Sequence, residues 1–306
     1  MPVGTLWVDL LEPAPFEVRD VEQRYGVSLP SRLDMLQIEL SNRLYQRDGA
    51  TYLIIPMVWK SDTGAPETTP MAVVWCGEVL LTLRYTDPDA PRTFAAAMAN
   101  GHQVHTTAPE VLIGLLRAIV ERTADVLERA GFEQNKLSGD IFSTRAGKRK
   151  RHAFDVDLEQ TLRALGRLET LTALVRESLI GLLRTVSFLS LHVMAGKPYE
   201  KQRLRLKYLQ RDTQAFSEHA EFLANKGAFL LDATLGLINV QQNKIIKTLS
   251  IATTVFLPPT FIGTVYGMNF ATMPELTWPW GYPVALLVML LSAALPYLYF
   301  RHRGWM

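Results

Sequence analysis

The distribution of apolar and charged positions changes abruptly near residue 247. Residues 248–274 carry no charged side chain, and neither do residues 276–300. Each run exceeds the approximately 20 residues a helix needs to cross the hydrocarbon of a bilayer. The alternative is a buried hairpin of a soluble core, but cores seldom need two charge-free runs in succession. Trp278, Trp280, Tyr282, Tyr297 and Tyr299 stand near the run ends, where amphipathic rings favour the membrane interface. The pattern predicts a first transmembrane helix over 247–266, a loop over 267–282, a second transmembrane helix over 283–300 and a basic tail over 301–306.

Upstream, residues 200–257 contain no proline, and their only glycines are Gly227 and Gly236. This predicts one helix of about 58 residues, on the order of 87 Å at 1.5 Å per residue. Its stalk, 200–246, runs into the first span without a break and so couples the two mechanically. Residues 1–199 read as an α/β domain with a helical second half. LWVDLLEP, YLIIPMVWK and AVVWCGEVLLTLRY are rich in β-branched and aromatic residues and read as strands; Asp48-Gly49 and Thr63-Gly64-Ala65-Pro66 supply turns. A helix over 109–132 opens after Thr107, with Leu112, Leu115, Leu116, Ile119 and Val126 near one face, and a leucine-rich helical stretch covers 155–193. The basic run 147–151, GKRKR, reads as a solvated turn rather than a contact with anionic lipid. The fold class is thus an α+β membrane protein: an amino-terminal α/β domain, a long stalk helix, and two carboxyl-terminal spans.

Two helices cannot enclose a water-filled path. Either they anchor a cytoplasmic domain, or several copies assemble around an axis. On a helix advancing 100° per residue, Asn243, Ile246, Ser250, Thr253, Leu257, Thr260 and Thr264 fall within roughly 100° of arc. A hydroxyl stripe punctuated by Ile246 and Leu257 resembles a pore wall with hydrophobic constrictions more than a lipid-facing surface. Helix packing through small residues uses Ser and Thr as well, so the stripe by itself leaves both readings open.

Averages of 48% hydrophobic and 20% charged residues conceal this segregation: beyond position 247 the only charged side chains are Glu275, Arg301 and Arg303. A net charge of +2 excludes a strongly basic nucleic-acid binder and a highly acidic solvating protein. One cysteine, Cys76, excludes an intrachain disulfide framework and a Cys-rich metal cluster. The opening MPVGTLWVDLLEP lacks a basic leader region and meets Asp9 early, which argues against a secretory signal. Lys244 and Lys247 precede the first span, Arg301 and Arg303 follow the second, and the loop has neither Lys nor Arg. Basic residues concentrate on the cytoplasmic side, so both termini are expected in the cytoplasm.

Between the spans stands Tyr266-Gly267-Met268-Asn269-Phe270, followed by Met273-Pro274-Glu275-Leu276. In this position the pair resembles the signature of the CorA magnesium transporter family. The similarity runs through QQNKIIKTLSIATTVFLPPTFIGTVYGMNF, WGYP, PYLYF and RHRGWM, covering about 199–306; the WVDL opening agrees less specifically. The resemblance implies a homopentamer in the inner membrane, with a funnel-shaped cytoplasmic domain, first spans around the pore and second spans outside. By position, it implies a pore lined by Asn243, Ile246, Leu249, Leu257 and Thr260, with Gly267, Met268 and Asn269 at the outer mouth. Leu249 lies at the edge of the stripe and rests on the resemblance.

The implied chemistry is coherent. Mg2+ prefers octahedral oxygen coordination and gives up water reluctantly, so a mouth can hold the hydrated ion through its water shell. Asn269 amide oxygens would accept hydrogen bonds from that shell, with a plain turn residue as the alternative, and Gly267 would let the backbone turn closely. Ile246, Leu249 and Leu257 would form apolar rings that block a hydrated dication, and Thr260 would offer hydroxyls between gate and mouth. Pro258 and Pro259 remove two helix donors and can bend the span or expose carbonyls. An inside-negative potential supplies on the order of 4.6 kcal/mol per 100 mV to a dication. Ala271 stands where the family often has an acid, leaving Glu275 as the loop's only cation attractant.

The resemblance also implies regulation by intracellular Mg2+ bound between neighbouring subunits. Asp9, Asp87, Asp89, Asp212, Glu218 and Asp232 are available carboxylates, each more readily read as a solvated charge. The rivals are a zinc or other divalent-cation transporter of the same superfamily, and a membrane-anchored sensor or enzyme without a conduit. Zinc recruits His, Cys or carboxylate directly, and no His or Cys occurs over 248–300; Co2+ and Ni2+ can pass as hydrated mimics. His102-Gln103-Val104-His105 pairs two histidines without a third ligand and reads as a surface turn. No phosphate-cradling glycine loop, HExxH or GxSxG is present, so the expectation is a non-enzyme without an organic cofactor.

Overall fold

Alternation inside the apolar runs builds a sheet with two buried faces. The computed structural model describes residues 5–37, 43–142, 158–269, 273–274 and 278–305; the basic run 147–151 lies outside them. Strands β1 (Trp7–Leu11), β2 (Leu44–Arg47), β3 (Ala50–Trp59), β4 (Glu67–Cys76) and β5 (Val79–Arg84) form the sheet among these residues, in the order β1-β5-β4-β3-β2. β1 pairs with β5 in parallel, and the remaining pairs are antiparallel. Asp48 and Gly49 both take positive φ, 50° and 78°, which gives the tight β2–β3 hairpin the twist its strands require. Gly77, also at positive φ, and Glu78 divide the run AVVWCGEVLLTLRY into two strands.

Because side chains alternate along a strand, Leu53, Ile55, Met57, Met71 and Val73 fall on one face, and Tyr52, Ile54, Ala72 and Val74 on the other. The second face is covered by α1 (Pro15–Tyr25), α2 (Arg32–Met35) and the connection between them, through Val21, Met35 and Leu29 respectively. The first is covered by α3 (Asp89–Ala99), α4 (Ala108–Phe142) and α5 (Leu158–Phe188), with Leu206 and Leu209 of α6 (Glu200–Tyr266). The expected helix over 109–132 therefore continues to Phe142. Of the stretch expected over 155–193, residues 155–157 lie outside the described ones; the rest is α5 followed by a wider π-helical turn, Leu189–Val193, and Met194 N–H donates to Leu189 O at 2.8 Å. β2 and α1–α3 are elements that the hydrophobic pattern did not predict.

At the centre of the sheet Pro56 opposes Pro70, so neither can donate a ladder bond. Ser178 Oγ donates to Pro56 O at 2.8 Å, and Gly181 faces the same proline ring. α5 thereby approaches β3 closely.

The chain separates into two compact units, Met1–Leu231 and Asp232–Met306. α6 belongs to both and is helical through all 67 residues, including Pro258 and Pro259. α7 (Gly281–His302) completes the second unit. α6 and α7 are the two described helices long and apolar enough to cross a membrane.

Candidate ion pathway

Hydroxyl chemistry on α6 follows from the helix itself. Thr253 Oγ1 donates to Leu249 O at 2.9 Å, Thr260 Oγ1 to Phe256 O at 2.7 Å, and Thr264 Oγ1 to Thr260 O at 2.8 Å. Each threonine spends its single hydrogen on the preceding turn. What remains directed outward is acceptor lone pairs, the complement of the hydrogens on a cation's water shell. Pro258 and Pro259 lack N–H groups, so the carbonyls of Thr254 and Val255 have no i+4 backbone donor; the helix nevertheless continues through them.

The two sides of α6 differ in exposure. Ile251 is buried, and Val255, Pro258, Pro259, Ile262 and Gly263 are partly covered; on the helical wheel all six fall within about 140° of arc. A Cβ at Gly263 would stand 3.5 Å from Met289 Cε, so this side faces α7. Asn243, Ile246, Ser250, Thr253, Leu257, Thr260 and Thr264 are all exposed and occupy the opposite arc. Ile246, Leu249 and Leu257 are 60%, 66% and 64% exposed, which leaves these apolar side chains without a partner in one chain.

At the end of α6, Gly267 N–H donates to Gly263 O at 3.0 Å and to Thr264 O at 3.2 Å, and Met268 N–H donates to Val265 O at 3.3 Å. Gly267 does not take a positive φ, so the close turn expected of it is not a left-handed one. A Cβ there would press on Gly263 O at 3.3 Å. Gly267, Met268 and Asn269 are exposed, and Glu275, Phe270 and Ala271 lie outside the described residues.

The carboxylates considered for regulation fall into two groups. Asp9 accepts from Arg84 Nη2 at 2.8 Å and from Thr82 Oγ1 at 2.7 Å, and Thr82 accepts from Trp7 Nε1 at 2.9 Å. Arg84 also pairs with Asp87, and Arg92 bridges Asp87 and Asp89. Arg122 Nη2 reaches Asp89 at 2.7 Å and Asp62 at 3.4 Å, and Arg129 pairs with Asp62. These are not simple solvated charges. Burial pulls the Arg84 pKa down, but hydrogen bonds and charge from Asp9 and Asp87 outweigh it, so the group stays firmly cationic. The hydrogen bond from Arg84 holds Asp87 below the ordinary carboxylate range. By contrast Asp212, Glu218 and Asp232 are exposed on α6. Sequence reasoning missed the arginine network, although Arg84 closing the apolar strand VLLTLR signals a buried cation in need of partners.

His102 is exposed, whereas His105 is half-buried with its ring 5.7 Å from that of Phe94. The surface-turn reading thus holds for His102 only. Burial lowers the His105 pKa. Among the described residues no group of three or more His, Cys, Asp or Glu is placed to hold a metal.

An α/β domain whose last helix continues as a span with a hydroxyl face, ending in GMN before a second span, defines a membrane protein of the ion-conduit class. The chain belongs to the CorA family, matching the CorA-like Mg2+ transporter protein over residues 3–302. That match extends well beyond the region of clearest sequence resemblance. The Escherichia coli (strain K12) magnesium transport protein CorA is 31% identical over 304 residues, 99% of this chain and 93% of the relative. The complete structure of the CorA magnesium transporter from Methanocaldococcus jannaschii superposes with a TM-score of 0.75 at 20% identity, covering 98% of this chain and 91% of that one. The cytoplasmic domain of ZntB from Vibrio parahaemolyticus shares the fold over 76% of this chain and 87% of its own, with a TM-score of 0.51 at 12% identity.

Proposed function

We propose that this chain transports Mg2+ across the inner membrane as a homopentamer, with α6 lining the pore and α7 outside it. One observation carries the reading: the uncharged acceptor stripe of α6 lies opposite the side that faces α7, so a lumen is available only when copies of α6 meet. Hydrated Mg2+ enters at Gly267, Met268 and Asn269, attracted by Glu275, and the Asn269 amide oxygen accepts from its water shell. Thr260, Thr264 and Thr253 continue the acceptor path. Ile246, Leu249 and Leu257 close it, since a hydrated dication cannot shed water into an apolar ring. Both termini lie in the cytoplasm, and the inside-negative potential drives influx.

Intracellular Mg2+ gates the pore. Asp9, Asp87 and Asp89 are already engaged by arginines, so the exposed Asp212, Glu218 and Asp232 are the better ligands, and such a site draws on a neighbouring copy. A zinc carrier is not favoured: the Escherichia coli relative, aligned over 99% of this chain, is named for magnesium, and the ZntB likeness is one of fold. An anchored enzyme or sensor leaves the acceptor stripe unexplained.

Purified protein in liposomes, loaded with a fluorescent Mg2+ indicator under an inside-negative potential, tests the reading. Wild type is expected to show influx, and Asn269→Ala to reduce it at least tenfold. No influx, or influx unchanged by the substitution, would overturn it.

A further inference from the structure

One end of the second unit gathers cations against aromatic rings. Lys247 Nζ lies 4.8 Å from the centroid of the Trp305 ring. Trp305 stacks on Phe300 with centroids 5.5 Å apart, and the Arg303 guanidinium carbon is 5.6 Å from the Tyr299 centroid. Arg301, His302 and Arg303 are exposed. Among the described residues no salt bridge engages Lys247, Arg301 or Arg303. Neither α6 beyond Asp232 nor α7 carries a carboxylate side chain of its own beside these cations. A cation resting on a ring face keeps N–H donors directed away from the ring, while the rings themselves favour the depth of lipid headgroups.

Position on the helix selects the occupant. Lys247 sits about 40° beyond the edge of the hydroxyl stripe, toward the side that faces α7, and its aromatic partner belongs to the tail after α7. The cluster therefore lies away from the face assigned to the lumen, where a phosphate of the surrounding bilayer is the available anion. We infer that Lys247, Arg301 and Arg303, with Trp305 and Tyr299 as an interfacial platform, bind the headgroup phosphate of an anionic phospholipid. The inference rests on the membrane orientation proposed above, which places this end in the leaflet where anionic lipid concentrates.

Native mass spectrometry of the full-length protein in neutral detergent tests it, with phosphatidylglycerol and phosphatidylcholine of matched acyl chains. Wild type is expected to retain phosphatidylglycerol about tenfold more strongly, a conservative value for three juxtamembrane cations. Arg301→Gln alone should weaken that preference, and the Lys247→Gln, Arg301→Gln, Arg303→Gln triple variant should abolish it. Arg301→Lys with Arg303→Lys should keep most of it, and millimolar inorganic phosphate should leave it unchanged. Equal retention of the two lipids by wild type, a preference surviving the triple substitution, or displacement by inorganic phosphate would each overturn the inference. Retained phosphatidylcholine without a preference refutes the lipid site alone, whereas absent Mg2+ flux with the preference intact refutes transport alone.

Discussion

Gly181→Ala tests how closely α5 is bound to the sheet. A Cβ at Gly181 would stand 2.5 Å from Pro56 Cγ and 2.7 Å from Pro56 Cδ, where ordinary contact begins at 3.4 Å. Neither partner yields easily: Pro56 is a rigid ring in the middle of β3, and Leu179 and Leu182 beside Gly181 are fully buried. Relief requires α5 to retreat by about 0.9 Å, which stretches the 2.8 Å Ser178–Pro56 bond to roughly 3.7 Å, outside hydrogen-bonding range. Overpacking costs about 1–3 kcal/mol, and a buried carbonyl without its donor about 1–3 more. The better helix propensity of alanine returns about 1 kcal/mol. The net loss is roughly 1–5 kcal/mol, corresponding to a fall in melting temperature of about 2–20 °C for a domain of this size. Circular dichroism melts of the detergent-solubilised protein measure it. Gly166→Ala on the same helix is the control, because nothing lies within 4 Å of its added Cβ; its melting temperature should hold or rise. A Gly181→Ala protein as stable as wild type would refute the close approach of α5 to Pro56.

Leu257→Asn places a hydrated amide in the proposed constriction and should raise Mg2+ leak in the liposome assay at high internal Mg2+ severalfold; an unchanged leak would remove Leu257 from the gate. Asp87→Asn should lower the melting temperature at pH 7. Since the folded Asp87 pKa is depressed, the stability it contributes is full above the unfolded carboxylate pKa and is lost as pH falls through the folded value. The two proteins should therefore converge in melts at progressively lower pH, and a gap that is constant down to acid would contradict the ion pair. Gln134 is 2% exposed; its Nε2 donates to Leu223 O at 2.8 Å while its Oε1 has no partner. Gln134→Leu removes an unpaired acceptor and leaves Leu223 O its helical position, so stability should change by less than about 1 kcal/mol; a loss of several kcal/mol in denaturant titration would show that Oε1 is bonded through water.

The strongest periodicities are legible in the sequence alone. Residues 200–257 are helical because no breaker interrupts them, and Tyr52–Trp59 is a strand because its β-branched and aromatic run is buried on both faces. β2, only LYQR, is a short polar edge strand whose pairing depends on the Asp48-Gly49 turn rather than on its own pattern. α1 buries only Val21, too little apolar signal to stand out. α4 continues past its apolar face because contacts from α6 support it: Gln134 reaches Leu223 O, Lys226 pairs with Asn135, and Phe142 stacks with Phe229 at 6.0 Å.

The chain by itself determined the two long apolar helices and the stalk that enters the first, with GMN between them, because charge exclusion from hydrocarbon and helix continuity are local properties written residue by residue. The tertiary structure decided which side of α6 α7 covers, and hence that the acceptor stripe is open. It also decided that Asp9, Asp87 and Asp89 are held by arginines. Both depend on neighbours distant in sequence: Gly263 finds Met289, and Arg84 closes on Asp9 only when β1 pairs with β5.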